Sequence, residues 1–128
     1  MKDRIILKKI ESYLRRITPI YDTIKDLDEV DIVELNDAFA LTQFITNIYS
    51  LTLNLSNDDI ASKMFVVAGR GLSTCRNISA HDYDSLNWSK VKQLSKKLIS
   101  EQSYNILEEC IRLAESDEAQ QRKYALEN

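Results

Sequence analysis

Glycine and proline are nearly missing from this sequence, with two glycines and one proline among 128 residues. Collagen-like repeats, β-sandwiches and dinucleotide-binding α/β folds turn often, and they need glycine for unusual backbone torsions and proline for punctuation. Their scarcity excludes those classes and leaves long helices with few connections. Cysteine is also sparse. Cys75 and Cys110 show no Cys-x-x-Cys spacing, and each falls on an apolar helical position, so both read as reduced small hydrophobes. Neither a disulfide framework nor a zinc site is expected. Long apolar runs are absent too. The longest, Met64 to Ala68, is far short of the roughly 20 residues that span a bilayer, and the opening from Met1 to Lys9 is charged rather than signal-like. A soluble, cytoplasmic protein with no membrane partner is expected.

What is present is apolar material at helical spacing. Hydrophobic residues make up 44% of the chain, enough for one core without metal or disulfide staples. Ile6, Ile10, Tyr13, Leu14 and Ile17 recur at intervals of three and four and mark a first helix that Pro19 is expected to stop or kink, with Ile20, Ile24 and Leu27 able to continue it after the bend. After an acidic hinge from Asp26 to Asp31, Ala38, Leu41, Ile45, Ile48 and Leu55 mark a long second helix, its buried face broadened by Phe39, Phe44 and Tyr49. Ser56-Asn57-Asp58-Asp59 breaks it and offers a cap and first-turn acids to a third helix carrying Ile60, Met64, Val67, Gly71, Cys75 and Ile78. Trp88, Val91, Leu94 and Leu98 make a fourth, and Tyr104, Leu107, Ile111 and Ala114 a fifth, separated near Ser100. No stretch alternates with period two. The expected fold is all-α, an antiparallel bundle of four to five helices formed by residues 1–115, followed by a polar, fraying tail at 116–128.

The formal net charge of -3 hides an uneven distribution. Between Ile60 and Ser100 seven basic side chains, Arg76 and four lysines of the fourth helix among them, stand against Asp82 and Asp84, a balance of +5. The remainder has 10 basic against 18 acidic residues, or -8. An anionic ligand is expected to meet the middle third.

Two features of that third carry chemistry. Gly69-Arg70-Gly71 lies inside a helical pattern, where each glycine costs about 1 kcal/mol relative to alanine. With no preceding strand it is a poor phosphate loop, and close approach of another helix is the better reading. The second feature surrounds His81, the sole histidine, in Arg76-Asn77-Ile78-Ser79-Ala80-His81-Asp82-Tyr83. On a continuing helix, Asn77 and His81 share one face and Arg76, Ala80 and Tyr83 a neighbouring one. Imidazole, guanidinium, amide and phenol on one rim suit cleavage of a phosphodiester by a neighbouring hydroxyl. The imidazole moves the proton near neutral pH, and the guanidinium fork holds the phosphate and its developing charge, with no metal or other cofactor needed. From spacing alone, a histidine near a helix end is also an ordinary capping or packing group. Serine and cysteine hydrolase arrangements lack a Gly-x-Ser-x-Gly and a second histidine, and Asp58-Asp59 and Glu108-Glu109 point to different helical faces.

The pattern Arg-x4-His-x-Tyr, with Asn after the Arg, resembles the HEPN superfamily and within it the HepT-type toxins of prokaryotic toxin–antitoxin modules. The likeness extends over most of residues 1–100, from the N-terminal helix through Glu34-Leu35-Asn36-Asp37-Ala38-Phe39 to the Asp84-Ser85-Leu86-Asn87-Trp88 turn. The resemblance implies a HEPN-like bundle and a metal-independent endoribonuclease of a type VII-like module, active as a homodimer whose two motifs line one cleft. By that resemblance Arg76 binds and polarises the scissile phosphate of an RNA substrate and His81 is general base or acid. Asn77 supports them, and Tyr83 sits at the cleft. The implied partner is a cognate minimal nucleotidyltransferase antitoxin that adenylylates the motif tyrosine; AMP on Tyr83 would add bulk and negative charge where RNA phosphate must lie. The sequence departs from many relatives at Asp82, where a small residue is usual. A carboxylate there orients the imidazole and raises its pKa, or repels RNA. The alternative expectation is a non-catalytic, nucleotide-binding or substrate-presenting partner of a nucleotidyltransferase.

Overall fold

A computed structural model of the chain describes residues 2–67 and 88–127. Within them every regular element is a helix: α1 (Asp3–Ile24), α2 (Ile32–Leu53), α3 (Asp58–Val67), α4 (Trp88–Leu98) and α5 (Glu101–Glu127). The all-α bundle expected from the composition is what forms.

The inward side of α1 is the apolar stripe read from the sequence: Ile6, Leu7, Ile10, Leu14, Ile17, Tyr21 and Ile24 are all buried. Pro19 does not stop the helix, which runs unbroken to Ile24. The missing amide donor is tolerated near the end of an element whose apolar stripe continues through Tyr21 and Ile24 into the core. A connection at residues 25–31 returns the chain as α2, and the Tyr13 and Phe44 rings meet at 5.7 Å across the pair. Ala38, Leu41, Ile45 and Ile48 of α2 are fully buried, and Phe44, Tyr49, Leu51 and Leu55 pack around them. Its buried hydroxyls are satisfied within the helix, Thr42 donating to the Ala38 carbonyl and Thr52 to that of Ile48.

Of the Ser56-Asn57-Asp58-Asp59 break that offered a cap, it is Asn57 that caps α3, its Oδ1 accepting from the Asp59 and Ile60 amides at 2.9 and 3.1 Å. Ile60, Met64 and Val67 point into the core. The order of contacts fixes the directions. Asn57 reaches Asp117 and Lys63 reaches Glu109, so α3 and α5 are antiparallel. Arg4 reaches Glu118, which joins the start of α1 to the later part of α5. Thus α1 packs against α2, α4 and α5, α3 closes the bundle between α5 and α2, and α4 lies against α2 and α1.

Ser100 opens α5, its Oγ accepting from the Ser103 amide while the Ser103 hydroxyl donates to the Lys97 carbonyl at 2.7 Å. The stretch expected to fray after Ser116 is helical to Glu127. Asp117 and Glu118 bond to α3 and α1 and hold the first part of that extension, whereas every residue from Ala119 to Glu127 is exposed.

Candidate functional site

Arg76, Asn77, His81, Asp82 and Tyr83, together with Gly69, Gly71 and Cys75, lie outside the described residues. Their described flanks are Val67, buried at the end of α3, and Trp88, buried at the start of α4. The second flank is firmly seated. The Trp88 indole Nε1 donates to the Leu27 carbonyl at 2.8 Å, and Lys92 Nζ donates to the same oxygen at 3.1 Å. The Lys92 ammonium also stands 5.9 Å from the centroid of the Trp88 ring, within cation–π range. One carbonyl in the α1–α2 connection therefore receives both groups and ties the beginning of α4 to the end of α1.

That anchoring decides which side of α4 faces water. Trp88, Val91, Leu94, Ser95 and Leu98 are buried, and Ser89, Gln93, Lys96 and Lys97 are exposed. With Lys90 and Lys92 the helix carries four lysines and no acid. The basic character expected for the middle third is thus partly borne by a helix whose apolar side is spent on the core.

A second polar centre went unread in the sequence. At the end of the bundle where α1 begins, Lys2, Asp3, Arg4, Ser56, Asn57, Ala114, Asp117, Glu118 and Gln121 line a cleft of about 510 Å³. Asp3 is buried, and its carboxylate accepts from the Ser56 amide (2.9 Å), the Ser56 hydroxyl (3.0 Å) and the Asn57 amide (2.9 Å). Asn57 Nδ2 donates to Asp117 at 2.8 Å. The carboxylate of Glu118, 8% exposed, accepts from Arg4 Nε at 2.9 Å, with Lys2 and Arg122 at 3.6 and 3.7 Å. The Arg4 hydrogen bond holds the Glu118 carboxyl below its ordinary pKa, against the opposing pull of desolvation. Each carboxylate of this centre already has its donors, so it acts as a fastener that joins α1, the α2–α3 corner and α5. Long-range pairs of this kind leave no periodic trace: Asp3 and Ser56 are 53 positions apart.

The remaining reactive groups of the described core have plain roles. Cys110 is fully buried, and burial pushes its thiol up to about 11, which keeps it protonated and unreactive near neutrality. Lys63 and Glu109 pair at 2.8 Å across α3 and α5, each stabilising the other's charged form. Among the described residues no cluster of His, Cys, Asp and Glu is placed to hold a metal ion, and no helix is long and apolar enough to cross a membrane. The chain matches no family model, no curated protein and no solved structure.

Proposed function

We propose that the protein is a HEPN-type, metal-independent endoribonuclease that acts as a homodimer and is the toxin of a two-component module. The observation that carries this reading is the constellation Arg76, Asn77, His81 and Tyr83 in a small helical chain, followed directly by a four-lysine helix. In the proposed reaction His81 accepts the proton of a ribose 2′-hydroxyl as the 2′ oxygen bonds to phosphorus. The bond from phosphorus to the 5′ oxygen breaks, and a proton is returned to that leaving oxygen. Arg76 holds the non-bridging oxygens as charge builds on them. The cognate nucleotidyltransferase silences the toxin by transferring AMP from ATP to the Tyr83 hydroxyl, which loses its proton as pyrophosphate leaves.

Purified parent, Arg76→Ala and His81→Ala proteins assayed on RNA without divalent ions provide the test. Removal of a proton-transfer group is expected to lower cleavage by about a hundredfold or more. If both variants cut as the parent does, the reading is wrong. Binding of mononucleotide by a parent that cleaves nothing would instead support the nucleotide-binding alternative.

A further inference from the structure

We infer that the exposed side of α1 is a docking strip for a single-stranded nucleic-acid backbone, held by Lys8, Lys9, Arg15 and Arg16 around Ser12. This rests on the RNA-cleaving reading for the identity of the polyanion and extends it by assigning a second contact surface outside the motif.

The argument begins with helical geometry. At 100° per residue, Lys8, Ser12 and Arg15 fall in one line, with Lys9 and Arg16 beside it. All five are exposed, because the opposite side of α1 is committed to the core. No acid of α1 lies inside the strip; Glu11 and Asp22 fall along its edge, and among the described residues only Glu11 approaches it, at 3.9 Å from Arg15. Four cations therefore occupy about 12 Å of rigid rod, the rise over the eight positions from Lys8 to Arg16. Arg16 is steadied by the Tyr13 ring, whose centroid is 6.0 Å from its guanidinium carbon.

The composition of the strip selects its partner. Protein interfaces have aromatic and aliphatic centres and are poor in lysine, and this strip offers no apolar centre. A helix that lies on a bilayer needs bulky, fully exposed apolar anchors beside its cations, and here the described neighbours are Ile5, 39% exposed, Pro19 and the half-buried Tyr13, whose ring is engaged by Arg16. A line of cations with a hydroxyl among them matches a chain of phosphates, which arginine grips by its fork and lysine as a point charge. The count by chain segment concealed the strip, because it averages these cations with acids on other faces and in the loops.

The test measures binding of a labelled 2′-O-methyl RNA 20-mer, which lacks the attacking hydroxyl, by the full-length protein over a range of salt. K8A/K9A/R15A/R16A is expected to weaken binding at 50 mM salt by about tenfold or more, and to reduce the slope of log K against log salt by about 2 to 3. The charge-preserving K8R/K9R/R15K/R16K is expected to keep the parent's slope, which separates lost charge from lost folding. R112A/K123A, removing two exposed cations from α5, is expected to stay within about twofold of the parent. The inference is overturned if the quadruple alanine variant binds as the parent does or if R112A/K123A weakens binding equally. It is also overturned if the parent binds phosphatidylserine vesicles and ignores the oligonucleotide. Strip-dependent binding by a parent that cleaves no RNA would sink the ribonuclease reading and leave the strip standing; cleavage with strip-independent binding would do the reverse.

Discussion

The first two helices are of equal length, 22 residues each, and pack against one another, yet they are built on different plans. The first carries eight charged side chains, nearly all kept off its inward stripe. The second carries two, Glu34 and Asp37, and the twenty positions from Ala38 to Asn57 hold none. A helix with a sharp contrast of charge between its sides states its own orientation by polarity; in a helix with almost no charge, only the three/four spacing of its aliphatic residues marks the inward side. The difference shows that burial in this bundle is set by shape at positions such as Ile45 and by charge exclusion at positions such as Leu14.

The largest expected effect tests whether both plans give an equally tight core. Leu14 and Ile45 are each fully buried, so Leu14→Ala and Ile45→Ala should each lower unfolding free energy by about 2–5 kcal/mol in urea titrations. A loss below about 1 kcal/mol at Ile45 alone would show that α2 is not seated as described. Next in size is the fastener where the two helices meet end to corner. Asp3→Ala removes the acceptor of two backbone amides and one hydroxyl, and about 1–3 kcal/mol is expected, because three part-buried hydrogen bonds to a charged acceptor are lost together. If Asp3→Ala melts with the parent, those bonds do not hold the corner.

A smaller effect comes from Glu118, where α5 grips the charged end of α1. Its carboxyl is held below the ordinary value by Arg4, so the folded state favours the ionised form. The resulting stability is present above the ordinary carboxylate pKa of about 4.3 and is lost as pH falls through the lower folded value. Glu118→Gln should therefore melt below the parent at pH 7, and the two curves should converge as pH is lowered below the ordinary carboxylate range. A gap independent of pH would assign the effect to packing rather than charge.

Much of the fold was legible because it rests on local rules. The α1 stripe, the Asn57 cap, the break at Ser100 and the inward set of α2 all follow from spacing or capping chemistry within a few residues. The long α5 was not, since the helical course past Ser116 is fastened by partners at Arg4 and Asn57 in remote parts of the chain. Pro19 was legible only in part for a related reason: local propensity allows a stop or a kink there, and the burial of Tyr21 and Ile24 decides against the stop. The Arg76 and His81 motif was readable as a pattern of residue types, whereas the α1 strip required knowing which side of the helix is covered, a three-dimensional fact that a segment-wise charge count erases.

The smallest expected effect returns to the outer sides of the two helices. Lys8 on α1 and Gln43 on α2 are both exposed in the single chain, so Lys8→Gln and Gln43→Lys should each change stability by no more than about 0.5 kcal/mol. Equal, small shifts would mean that α2 faces water with its neutral side as α1 does with its basic one. A larger loss at Gln43 would mean that this side of α2 is covered in solution, and a second copy in the proposed homodimer has a distinct signature. Dimer dissociation makes the melting temperature rise with protein concentration, so the Gln43→Lys deficit would widen on concentration, whereas a fault inside one subunit would leave it constant.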